Sequence, residues 1–113
     1  MRERAEAKII DFEAARFECE RRRAYDDALA AWLLRFPTVT RGPNGAWRYW
    51  AVRDSGDAEA DRRRGRELAA RTVALLRADP LHDVLGRILR ALPAGSATAE
   101  GFLEELELIL AFG

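Results

Sequence analysis

Aromatic and basic residues interleave in one short stretch of the chain. Trp47, Tyr49 and Trp50 alternate with Arg41, Arg48 and Arg53, and Arg62, Arg63 and Arg64 follow within a few turns. Flat rings beside guanidinium groups can stack on bases and grip phosphates. The same residue types are enriched where one protein docks on another. The chemistry of this stretch is therefore recognition rather than bond making.

Reaction chemistry finds much less to work with. Cys19 and His82 are the only thiol and imidazole, and they stand 63 positions apart with no glycine-rich elbow beside either. A metal site needs three or four well-spaced ligands. The nearest acidic set is Asp54, Asp57 and Asp61, in a turn that enters a helix, where capping and solvation account for acids as well as a metal would. The eight glycines never fall in a phosphate-loop or dinucleotide pattern. The expectation is a protein that is not an enzyme, with no catalytic residues, no metal and no cofactor.

The elements that must position the ribbon follow from periodicity. Thr38–Val39–Thr40 and Trp47–Val52 have strand composition. Between them, Pro43 suits turn position i+1, Asn44 suits i+2, and Gly45 supplies positive φ. This predicts a β-hairpin over about 38–53, with Trp47, Tyr49 and Ala51 on one face and Arg48, Trp50 and Val52 on the other. Two strands are marginal alone, so the ribbon must lean on helices.

Four helices are predicted. The first spans about 11–36, capped by Asp11 and stopped by Pro37. Its apolar stripe is Tyr25, Leu29, Trp32, Leu33 and Phe36. Upstream the stripe fails, because its face passes through Glu18 and Arg22, an i, i+4 ion pair by spacing, while Phe12, Phe17 and Cys19 point elsewhere. This implies a break near Arg21–Arg22–Arg23, or a first half that projects. Residues 1–10 read as a flexible or extended arm. The second helix spans about 57–78, with Leu68, Ala69, Thr72, Val73, Leu75 and Leu76 on one face. The third spans about 80–92, with Asp79 as N-cap before Pro80, and Leu81, Val84, Leu85, Ile88, Leu89 and Leu92 as its face. The fourth spans about 98–112, capped by Ser96 or Thr98. Its main face is Ala99, Phe102, Leu103, Leu106, Ile109 and Leu110, with Leu108 and Phe112 off that face. A helix apolar on two sides must be enclosed or paired. A homodimer is therefore expected to draw on Phe12, Phe17, Leu108 and Phe112.

The fold class that results is mostly α: one small domain over 1–113, like a four-helix bundle, with one hairpin packed on it. The size fits, since 113 residues and 12.8 kDa leave room for one core. Apolar residues make up 49% and charged residues 34%, which excludes a disordered chain. Nineteen basic and nineteen acidic groups cancel, but unevenly: residues 41–78 carry net +4 and residues 79–113 net −4. The two segments either neutralise each other within the fold or present charged faces to partners. Zero net charge weighs against a dedicated nucleic-acid binder. The lone cysteine excludes an internal disulfide, and no secretory signal opens the chain; both point to the cytoplasm.

In size, Arg/Ala bias and lack of enzyme signatures, the chain resembles the small proteins of phages and mobile elements, anti-CRISPR proteins among them. The likeness is one of general character and carries over no residue. It implies an adaptor or inhibitor docking on a larger protein. The expected contacts are Arg41, Trp47, Arg48, Trp50 and Arg53, supported by Arg62, Arg63 and Arg64. The alternative is a DNA- or RNA-binding regulator using the same ribbon. No membrane contact is expected, because the C-terminal helix is acidic and repels anionic lipid.

Overall fold

The computed structural model describes the backbone of residues 2–79 and 83–113, and the side chains of 14–79 and 83–113. These residues form four helices and a two-stranded antiparallel hairpin. The mostly-α class expected from the sequence is the one observed. The chain divides into two compact units, residues 1–32 and 33–113.

The first unit is a single helix. α1 spans Arg2–Leu33 without interruption, so it neither starts at Asp11 nor breaks at the arginine triplet. Residues 2–10, expected as an extended arm, are helical. Nothing in the composition opposes this. The segment holds no Gly or Pro and is rich in Ala, Glu and Arg, all strong helix formers. Every side chain from Ala14 to Ala28 is exposed. The i, i+4 pair that forms is Arg16–Glu20 at 3.5 Å, rather than Glu18–Arg22. The Arg21 guanidinium lies 5.9 Å from the Phe17 ring centre.

The second unit begins where α1 ends. The helix stops at Leu33, three residues before the expected Phe36. Successive tight turns then carry the chain to the ribbon: the Phe36 amide donates to the Leu33 carbonyl at 3.1 Å and the Val39 amide to the Phe36 carbonyl at 3.2 Å. Those turns bury Phe36, Thr38 and Val39, so residues 38 and 39 are not strand. The ladder is short as a result. β1 is Thr40–Arg41 and β2 is Trp47–Arg48, with Thr40 opposite Arg48 and Arg41 opposite Trp47. One more bond, from the Ala51 amide to the Thr38 carbonyl at 2.8 Å, ties the two arms below the ladder. The turn is as read: the Gly45 amide closes on the Gly42 carbonyl at 2.9 Å, and Gly45 has φ 81°.

The core of this unit is organised by a helix crossing. α2 is Ala58–Ala78 and α4 is Ala97–Phe112. Gly65 and Gly101 sit where they meet. A Cβ on Gly65 would stand 2.0 Å from the Thr98 carbonyl oxygen, and one on Gly101 would stand 2.1 Å from that of Arg62. No other residue permits that approach. Arg62 reaches Glu100 at 2.9 Å and Arg66 reaches Glu104 at 2.7 Å. Two pairs offset by one turn in the same sense mean that α2 and α4 run parallel. The segment between them, which includes α3 at Val84–Ala91, returns the chain to the starting end. Phe102, Ile88 and Val84 fill the interior.

Two corrections concern α3. Its N-cap is Asp83, whose side chain accepts from the Gly86 amide, and Asp79 instead caps the C-terminus of α2. Leu81 and His82 lie outside the described residues. The cap expected for the second helix is Asp57, which accepts from the amides of Glu59 and Ala60. Ser96, one of the two caps expected for the last helix, accepts from the Ala99 amide.

Candidate interaction surface

Parallel helices place two positive N-terminal ends together, an arrangement that calls for anions. The three acids considered for a metal are spent on this. Asp57 caps α2. The Asp54 carboxylate accepts from the Ser96 hydroxyl at 2.8 Å, the Thr98 hydroxyl at 2.6 Å and the Thr98 amide at 3.3 Å, at the start of α4. The Thr98 and Ser96 hydroxyls hold its pKa below the usual 3.8. Asp61, buried in the first turns of α2, takes both the amide and the hydroxyl of Ser55. Among the described residues no group of three His, Cys, Asp or Glu side chains is placed to hold a metal ion.

The ribbon residues divide by direction. The Arg41 guanidinium lies 5.1 Å from the ring centre of Trp47, directly across the ladder, and also donates to the Gly45 carbonyl. Trp47 is half-buried and its neighbour Arg48 is exposed. Tyr49 turns to α3, where its hydroxyl accepts from Arg87 at 2.8 Å while the guanidinium lies 5.6 Å from its ring centre. Trp50, expected on the outer face with Arg48, turns inward instead. Its ring meets Phe102 edge to face at 5.2 Å, and its indole N–H is buried with no partner among the described residues. Half-burying this large ring against Phe102 gains more than displaying it, so the alternation ends where the ladder does.

The helical arginines divide too. Arg62 is committed to Glu100, and Glu104 holds Arg66. That pairing raises the pKa of Arg66 and lowers that of Glu104 from its usual 4.5. Arg64 instead reaches back and donates to the Arg53 carbonyl at 3.3 Å. Arg48, Arg53 and Arg63 are exposed and form no ion pair with any described residue. The outward basic set is therefore Arg41, Arg48, Arg53, Arg63 and Arg64, with Trp47 at its ribbon end. Arg87 was not anticipated as a ribbon contact. The one signal for it is a charge in the middle of a short helix whose only other charged residue is Arg90, in its last turn.

The residues expected at a dimer contact are accessible where they are described: Phe17 is 62% exposed, Leu108 49% and Phe112 87%. Phe12 is placed in α1, but its side chain lies outside the described set. No described helix is long and apolar enough to cross a membrane. No family model, no curated protein and no solved structure matches the chain.

Proposed function

We propose that the chain is a small non-enzymatic interaction protein that docks on an acidic surface of a larger protein through its ribbon. One contrast carries this reading. Arg62 and Arg66 are neutralised by glutamates at 2.9 and 2.7 Å, whereas Arg48, Arg53 and Arg63 meet no described carboxylate and lie exposed with the Arg41–Trp47 pair. Asp54, Asp57, Asp61, Glu100 and Glu104 are engaged in capping and pairing elsewhere, which leaves a surface of arginines with an aromatic anchor. Such a surface suits a partner that brings carboxylates and a slot for an indole. Trp50 serves this role indirectly, by fixing the ribbon to Phe102. An adaptor or inhibitor acting by occupancy needs no catalytic group. Asp54, Asp57 and Asp61, the acids nearest to a metal-ligand set, act as caps or turn braces. The free, exposed Cys19 thiol supports a reducing, cytoplasmic setting.

The test is charge reversal at the ribbon. Arg48→Glu with Arg41→Glu should leave the urea midpoint unchanged. It should also remove at least about 90% of whatever protein the wild type retains from host lysate, a loss of about 1.4 kcal/mol or more. Equal retention by the variant overturns the reading. Fluorescence anisotropy with duplex and single-stranded oligonucleotides separates the nucleic-acid alternative. Phosphate contacts would weaken binding by roughly 0.9 log unit per phosphate for each log unit of salt. Such a slope, abolished by the same reversal, would replace the protein partner with a nucleic acid.

A further inference from the structure

Away from the ribbon, the second unit carries a groove of about 560 Å³ toward the C-terminal ends of α2 and α4. Val73 and Leu76 from α2, Leu85 and Leu89 from α3, and Leu106 and Leu110 from α4 line it. Leu106 is buried beneath, while Leu110 stands 86% exposed at the lip. An open trough of leucines is costly in water unless something covers it. Its volume falls within the range of small-molecule sites, about 300–1,000 Å³.

The lining says what would cover it. Arg77 is the only polar side chain among its nine residues. Arg77 is exposed and pairs with no described carboxylate. Its Nη2 lies 3.1 Å from where a Cβ on Gly113 would stand, so the charge sits at the α4 C-terminal end of the groove. An occupant must therefore be apolar along its body and carry one negative group at one end. A docked amphipathic helix would also bring polar flanks that call for a polar rim, which this lining lacks. The geometry points to a free straight-chain aliphatic carboxylate, a fatty acid. Its tail lies along the leucines, and its head group accepts a charge-assisted, bidentate pair of hydrogen bonds from Arg77. This site is independent of the ribbon, and neither reading depends on the other.

Calorimetric titration of the full chain tests it, with laurate as the probe and dodecyltrimethylammonium as the matched cation. Laurate should bind one to one, at least about tenfold tighter than the cation. Arg77→Gln should weaken laurate about tenfold and abolish the preference over the cation. Leu89→Glu, at the half-open lip, should remove laurate binding while the urea midpoint shows the fold intact. Three results would each overturn the assignment: no laurate binding up to about 1 mM, equal affinity for the cation, or wild-type laurate affinity in Arg77→Gln.

Discussion

Helices α1 and α2 are written in the same alphabet of Ala, Arg and Glu, and they meet opposite fates. The stripe that begins in the first helix and continues past its end, Tyr25, Leu29, Trp32, Leu33 and Phe36, is the more apolar. Its last members, Trp32, Leu33 and Phe36, are buried, yet Tyr25 is 60% exposed, and everything upstream of it to Ala14 is exposed as well. The buried stripe of α2 is Asp61, Gly65, Leu68, Ala69 and Thr72, with the same i, i+4, i+7, i+8, i+11 spacing. It opens with an acid and a glycine. Period alone does not bury a face. A face is buried when another element offers a complementary surface, and for α2 that surface is the Gly101 side of α4. The exposed body of α1 rests on helix propensity and local pairs such as Arg16–Glu20, which contribute only about 0.2–0.5 kcal/mol each.

The comparison breaks first at the centre of the second unit. Phe102 is fully buried and carries Trp50 on its edge, so Phe102→Ala should cost about 4 kcal/mol in urea unfolding. A loss below about 1 kcal/mol would deny that this unit has a packed core. Gly65→Ala comes next. The added methyl meets backbone, which cannot rotate away, so α2 and α4 must separate at a cost of about 3 kcal/mol. Stabilisation, the usual result of Gly→Ala within a helix, would show that the close crossing is absent.

The acid response sharpens the picture of the paired N-termini. Asp54 has its pKa lowered by the Thr98 and Ser96 hydroxyls, and Glu104 by the hydrogen bond from Arg66. A carboxylate depressed in the folded state stabilises above its unfolded pKa, and that contribution is lost as pH falls through the folded value. Unfolding midpoints should therefore fall from about pH 4.5 downward, and Asp54→Asn should flatten the part of the decline below 3.8. An unchanged slope in that variant would remove Asp54 from the cap.

Smaller effects are expected on exposed surfaces. Arg66 and Glu104 are half-exposed, and solvent screens their bond. A double-mutant cycle to Ala should return a coupling well below the loss from Gly65→Ala, and one as large as that loss would mean the pair is shielded from water. In α1, Phe17→Ala should change stability by no more than about 0.5 kcal/mol. A larger loss for Phe17, measured as a function of protein concentration, would mean that the helix is covered by a second copy.

What sequence reading recovers here is what neighbours in the chain decide. The Gly42–Gly45 turn, the Asp57 and Ser96 caps and the existence of all four helices rest on hydrogen bonds and steric preferences that span a few residues. The geometry of the candidate surface is legible to the same depth: Arg41 and Trp47, joined across a tight turn, stand together as the ribbon implies, and Arg48 is exposed. Errors arose where only longer reach decides. Alternation points Trp50 outward, but Phe102, 52 positions later in the chain, draws its ring inward. The basic run groups Arg62 with Arg63 and Arg64, but Glu100 on α4 pairs with it. Asp61 resembled a solvated helix acid, yet its burial follows from a turn that places Ser55 over it. An apolar stripe and a cap start the N-terminal helix at Asp11, whereas strong helix formers alone extend it back to Arg2. The pattern along the chain determines which elements form, while several of their ends, such as the stop of α1 at Leu33 and of the second strand at Arg48, are set by the fold. The parallel approach of α2 and α4, and with it which charges are neutralised and which are left facing out, exists only in the folded molecule, because each contact joins residues that no local period relates.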